Sequence, residues 1–461
     1  MRRLLVLAVA ALVSLPLLAQ NTDIESLSGL QFNFGNPGAR SLGMGGAFIG
    51  LADDASAAEA NPAGLTVLRK PEISFEGRNY LQQQTLTTSG TFPDLLRTDF
   101  NNYSDRVELS FGSFVIPVGS NFTIGGYYHE PLRNSGSGSV LPTFDPLTNR
   151  QTTDVPEFYL PAGGPAPVSL AQCQAIVDQT GNPLSCVRVT IKPFVTAVDI
   201  RQRTFGIAGA WKMGNFSVGA TARYQRFDET SFTFRLTPDF DFDSISVQAT
   251  SGKNSFKPQS EHDITYAAGV KWAPVEKFSM GAVYKQGATF EAPIFQADAS
   301  TGLGNFTRIA DTQFHFPDIY GAGISLAPIP VLRLNLDAVR VTYSHLADQF
   351  VSTSSDLVPI SNFFQVDDVT ELHAGAEYFF ALKVPIAIRG GFWRDPAHAL
   401  EWRGPLNGTE QVAAAILFPK GEAQNHWSVG AGLAWPKFQI DAAYDSSKHY
   451  KVGSLSFVTR F

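Results

Sequence analysis

The segment Gly453-Ser454-Leu455-Ser456-Phe457-Val458-Thr459-Arg460-Phe461 sets apolar Leu455, Phe457 and Phe461 against polar Ser454, Ser456 and Arg460. Side chains alternate between the faces of a strand, so this is a strand with one greasy face, ending on a phenylalanine. At the other end, Arg2 and Arg3 precede an apolar run from Leu4 to Leu18, followed by Ala19 and Gln20. That order reads as a secretory signal over 1–19. The run is shorter than the roughly 20 residues a membrane helix needs. An exported chain closing on such a strand reads as a bacterial outer-membrane β-barrel.

Working back from the terminus, the same design repeats. Ile264, Tyr266, Ala268, Val270 and Trp272 alternate, the chain turns near 273–277, and Phe278, Met280, Ala282 and Tyr284 alternate again. Hairpins of this kind are predicted at 107–128, 205–224, 320–336, 372–392 and 427–444 as well. With a first strand near 71–84 and the terminal one, the count is about fourteen. Six tight turns alternate with seven longer connections, the longest over 131–193. Short turns on one side and long loops on the other is the asymmetry of transmembrane barrels, whose short side is periplasmic. The fold class expected is therefore all-β: a 14-stranded antiparallel transmembrane barrel over 71–461.

Mean hydropathy is −0.03. This is compatible with a barrel, because lipid-facing and lumen-facing residues cancel in an average. Trp211, Phe216, Trp272, Phe278, Trp435 and Phe438 flank the short turns, and Tyr224, Tyr284, Tyr444 and Phe392 lie toward the opposite ends, as two interfacial girdles require. On the polar stripe stand Arg223, Lys271, Arg333, Asp337, Glu371, His373, Glu377, Arg389 and Asp441. Each would cost about 2–4 kcal/mol facing hydrocarbon, so they are assigned to the lumen. Their mixed signs point to a salt-bridge network that can hold a plug, rather than to an ion-selective ring.

The net charge of −7 argues against a nucleic-acid partner. The two cysteines, Cys173 and Cys186, read as a disulfide closing a short loop in an oxidising compartment. No phosphate loop, nucleophile elbow or metal-ligand spacing occurs. The chain is expected to be no enzyme, to need no metal or cofactor, and to act as a monomer among outer-membrane lipids.

Residues 20–70 do not alternate. Gly38-Ala39-Arg40-Ser41-Leu42-Gly43-Met44-Gly45-Gly46-Ala47-Phe48 leads to Asp53-Asp54-Ala55-Ser56 and Asn61-Pro62-Ala63-Gly64-Leu65. Either aspartate can cap a short Ala-rich helix, which Asn61-Pro62 ends. This block resembles the N-terminal plug of the FadL/TodX outer-membrane transport proteins. The resemblance implies a hatch over 20–70, with Arg40, Gly43, Gly45, Gly46, Asp53, Asp54, Asn61, Pro62 and Ala63 as its motif residues. It also implies passive passage of hydrophobic compounds, such as fatty acids or aromatic hydrocarbons, through a pocket near the mature N-terminus. Exit would be sideways into the bilayer at an inward kink in the third strand, for which Gly125-Gly126 is the candidate. A helix at 169–179 presents Leu170, Ile176 and Val177 as one wall of a capture groove, with Val412–Phe418 as the other. The motif block is also similar to that of PorV-like barrels, which serve protein secretion and surface attachment. The block therefore specifies the barrel and leaves its cargo open.

Overall fold

The computed structural model describes residues 32–461 apart from 86–95, 143, 146–149, 152–156, 162–167, 183–184, 191–193, 237–244, 251–258, 298–305, 348–362, 406–417 and 419. The signal segment 1–19, the start of the plug and most of Val412–Phe418 lie outside the described residues.

Fourteen antiparallel strands close on themselves. In chain order they are β1 Glu72–Thr85, β2 Leu96–Val118, β3 Phe122–Pro142, β4 Phe194–Met213, β5 Phe216–Leu236, β6 Gln259–Val275 and β7 Phe278–Lys285. They continue as β8 Ile319–Ile329, β9 Leu332–Val341, β10 Val369–Phe380, β11 Ile386–Asp395, β12 Gln424–Ala434, β13 Phe438–Ser446 and β14 Tyr450–Arg460. The ring closes where β14 pairs with β1, from Glu72 opposite Arg460 to Gln82 opposite Tyr450. Closure leaves no free sheet edge, which is what allows strands to cross lipid.

Alternation decides what each strand shows to lipid. In β6, Ile264 and Tyr266 are 72% and 54% exposed, while Thr265 and Ala267, alternating with them, are 3% and 2%. Here the exposed face is the apolar one, the reverse of a soluble protein. The aromatics at the short turns pair along this outer face: Phe122 with Trp211 at 6.0 Å, Trp272 with Phe278 at 6.3 Å and Trp435 with Phe438 at 4.4 Å. At the other end Tyr266, Tyr284 and Tyr320 form a second row, with ring centroids 5.7 and 4.9 Å apart. The turn joining β4 to β5 uses Gly214 at φ +61°, the left-handed conformation a two-residue hairpin requires.

One segment departs from the wall. Residues 38–67 fold as a short helix α1 (Ala39–Gly43), a single turn α2 (Ala57–Ala60) and a 3₁₀ turn (Pro62–Val67). Hydrogen bonds tie this segment to β1, β3, β5, β6, β7, β9 and β10. A stretch of chain that touches so many staves lies inside the barrel. Its core is apolar and buried: Met44, Phe48, Leu51 and Leu65 are nearly without solvent contact.

The wall admits this plug because small residues face inward beneath it. A Cβ at Gly219 would sit 2.5 Å from Pro62 and Ala63, and one at Gly281 would sit 2.6 Å from Ile49 and Asn61. Backbone therefore lies directly on backbone, a contact only glycine permits.

The ladder has one long interruption. β2 and β3 pair from Val118–Phe122 to Phe111–His129, then not again until Asn101–Ser137. Through that interval β2 stays paired to β1, and β3 to β4 except at Glu130-Pro131. Pro131 has no N–H to donate and cannot continue a ladder. At Gly125-Gly126, the anticipated kink site, both glycines pair regularly, Gly125 with Val115 and Ala208, Gly126 with Phe114 and Ile207. The third strand does break from its neighbour, but at 130–136.

Candidate functional site

The lumen is organised around two buried charge clusters that grip the plug. In the first, Arg40 of α1 forks onto Glu377 of β10, with both bonds at 2.9 Å, and reaches Asp53 at 2.6 Å. Glu377 is shared with Arg389 at 2.7 Å, which pairs in turn with Asp441 at 2.8 Å. Arg333 adds a bond to Asp53 at 3.2 Å. Burial disfavours the charged Arg40, but Asp53, Glu377 and Asp54 together hold its pKa well above its ordinary value. The aspartates divide their work. Asp53 serves the arginines, and Asp54 accepts the Ser56 amide at 2.9 Å, so the side chain capping the turn before α2 is Asp54.

The second cluster centres on Glu59, the only ionisable residue of α2. Its carboxylate takes Lys285 at 3.1 Å, Arg223 at 3.4 Å and the Tyr127 hydroxyl, with His129 at 3.8 Å. Burial works to raise its pKa, yet Lys285 and Arg223, with His129, draw it well below the usual carboxylate range. Of this centre only Arg223 is on the sequence-based list, and Glu59 itself is absent from it. A lone glutamate among Ala57, Ala58 and Ala60 was its only signal, and its partners lie on three distant strands.

The remaining lumenal residues bond plug backbone. Asp337 accepts the amides of Phe48 and Ile49 at 2.6 and 2.7 Å. Lys271 donates to the carbonyls of Leu51 and Ala52. His373 joins Gly45 O at 2.7 Å to Glu371 at 3.2 Å. Asn61 accepts the Ala63 amide and donates to Ile49 O at 3.1 Å and to Val270 O at 3.2 Å, fastening the Asn-Pro-Ala element to the wall.

Above the plug, residues 32–36 cover two small cavities of about 70 and 30 Å³. Phe34, Pro131, Lys285 and Ile319 line both, so the pair extends to the interrupted β2–β3 ladder. Phe32 is held by the Tyr343 hydroxyl and by His398 at 3.0 Å, whose rings stack at 4.1 Å. Cations at the cavity wall are neutralised locally. Arg78 bonds Glu76 and Asn36 O, both at 2.7 Å, and Lys285 is spent on Glu59. Across the ladder gap, Glu108 of β2 meets Arg133 of β3 at 2.8 Å, and on the other side of β3 Arg201 of β4 meets Glu130 at 2.6 Å.

Cys173 and Cys186 form a disulfide. It pins helix α3 (Leu170–Thr180) to the antiparallel pair of Glu157–Pro161 with Cys186–Thr190, the strands that flank it in the chain. The helix carries a capping box at Ser169 and Gln172. Ile176 and Val177 are half-buried. Of the opposite wall expected at Val412–Phe418, only Phe418 is described, packed edge-on against Phe364 at 4.9 Å.

Neither a family model nor a curated protein matches the sequence. Solved structures do match in fold. The CymD monoaromatic hydrocarbon channel aligns with a TM-score of 0.55 at 15% identity, over 94% of this chain and 99% of that one. The Ralstonia pickettii toluene transporter TbuX aligns at 0.55 and 15%, over 93% and 99%. A Pseudomonas aeruginosa FadL homologue aligns at 0.54 and 16%, over 93% and 100%. At such identity the likeness establishes architecture, and the chain accordingly has the fourteen-stranded barrel fold of the FadL/TodX-type channels.

Proposed function

We propose that this barrel carries hydrophobic small molecules passively across the outer membrane and releases them sideways into the bilayer between β2 and β3. The observation that carries the reading is the conjunction of the ladder break at 130–136 with the cavities that reach it at Pro131. A plug fixed by two charge clusters blocks a straight path down the lumen, so a wall exit is the shorter route. Pairing of the cavity cations favours uncharged or weakly polar cargo, since a bare charge would find no free partner. The larger cavity is below the roughly 150 Å³ that admits benzene. Entry therefore requires Phe34 or the gap to move, and the described form is the closed one.

The test compares saturable binding and cellular uptake of radiolabelled toluene and hexadecanoate. A variant with Glu130→Thr and Pro131→Val gives β3 residues that can extend its ladder. Uptake falling about tenfold with binding retained supports lateral release. Unchanged uptake refutes the wall route. Absence of saturable binding for both probes refutes the transport reading and favours the secretion-partner role of PorV-like barrels.

A further inference from the structure

The short-turn end of the barrel is strongly basic although the chain as a whole carries a net charge of −7. Lys212 lies at the β4–β5 turn, Lys277 at β6–β7, Lys383 at β10–β11 and Lys437 at β12–β13, with Arg69 and Lys70 where the plug joins β1. All are exposed except half-buried Lys212. None has an ion-pair partner among the described residues. The opposing charge at this rim is slight. Glu276 neighbours Lys277, and Glu72 is already paired with Arg460 at 2.8 Å. These cations sit one step beyond the aromatic row of Trp211, Trp272, Phe278, Trp435 and Phe438. Aromatic belts mark the headgroup level, and a lysine stem long enough to pass along a ring places its ammonium among the phosphates.

We propose that this rim is a binding surface for anionic phospholipid headgroups of the leaflet facing the short turns. The rim is uneven. The β2–β3 turn (Gly119-Ser120-Asn121) and the β8–β9 turn (Pro330-Val331) carry no cation, so the bound lipids concentrate on the remaining turns. Recognition is by charge at a fixed depth, because lysine acts on phosphate as a point charge rather than as a geometric fork. The surface is independent of the transport reading and stands if that reading fails.

The experiment is native mass spectrometry of the full chain in non-ionic detergent, with phosphatidylglycerol or phosphatidylethanolamine of matched acyl chains. Wild type is expected to retain phosphatidylglycerol about tenfold over phosphatidylethanolamine, with the preference shrinking as salt screens it. The six-fold variant R69Q/K70Q/K212Q/K277Q/K383Q/K437Q should lose the preference. A control, K420Q/K448Q at the opposite end, should keep it. If the six-fold variant fails to fold, the salt titration on wild type and the control variant decide. Equal retention of both lipids by wild type, a salt-insensitive preference, or loss of preference in the control overturns the proposal. Displacement of bound lipid by inorganic phosphate at equal concentration also overturns it, by marking a soluble-anion site.

Discussion

Replacing Glu59 by glutamine tests how the plug is held. The substitution keeps size and removes the charge that Lys285 and Arg223 share, at 3.1 and 3.4 Å, in surroundings where all three side chains are almost fully buried. Arg223 retains the Gln286 carbonyl at 3.1 Å. Lys285 retains no other partner among the described residues, so it is the stranded charge. Breaking a buried pair from one side costs about 3–5 kcal/mol. Because 1.4 kcal/mol is tenfold, the docked-to-released ratio of the plug should fall by roughly two to three and a half orders of magnitude. The barrel ladder is untouched, so the strands remain protected while amides of 38–67 exchange faster. Hydrogen exchange in detergent resolves the two, and planar-bilayer conductance reports the opened lumen. Adding Lys285→Met to Glu59→Gln removes the stranded ammonium and should return most of the protection. Unchanged exchange in Glu59→Gln, or no recovery in the double variant, refutes the argument that this pairing holds the plug.

Other expectations concern pH, the wall and the gap. The Glu59 pKa is depressed in the folded state, so its contribution is present above the usual carboxylate range and lost only as pH falls through its lowered value. Exchange of 38–67 should therefore stay slow at pH 5. Asp54 has the opposite sign: burial raises its pKa, so the strain of its charge grows as pH rises. Asp54→Asn should slow exchange at pH 7 relative to wild type, with the difference vanishing near pH 4. Gly219→Val forces a side chain into Pro62 and Ala63, and overpacking of about 1–3 kcal/mol should loosen the plug. Exchange at 62–67 reads it, and a fully protected plug would contradict the backbone-to-backbone seating. Arg133→Gln removes the 2.8 Å pair with Glu108 that bridges the ladder gap. If that pair holds the exit shut, toluene uptake rises severalfold, whereas a decrease assigns the pair to scaffolding.

The barrel was legible because its determinants are local. Period-two alternation from Ile264 to Trp272 assigns each side chain to lipid or lumen, and the turn near 273–277 fixes the hairpin without reference to any other strand. The two aromatic rows follow from that register. Arg40, Asp53 and Asn61 were legible as a motif, and Glu377, Arg333, Asp337 and Lys271 as polar residues obliged to face inward, though which of them pair was not. Arg40 and Glu377 stand 337 residues apart, and no periodicity links them.

What the chain alone determined is therefore which residues face which solvent, how many staves there are and where they turn, since each depends on neighbours within a hairpin. Closure of the ring decided the rest. It brought Glu59 of the plug between β3, β5 and β7, and selected the inward glycines as seats for plug backbone. The β2–β3 ladder is interrupted at 130–136, beside Pro131, and not at Gly125-Gly126. A glycine pair tolerates a kink but remains free to pair when both neighbours are in register, whereas a proline has no amide to offer. Which of the two interrupts the ladder depends on the register that β3 takes against β2 and β4 together.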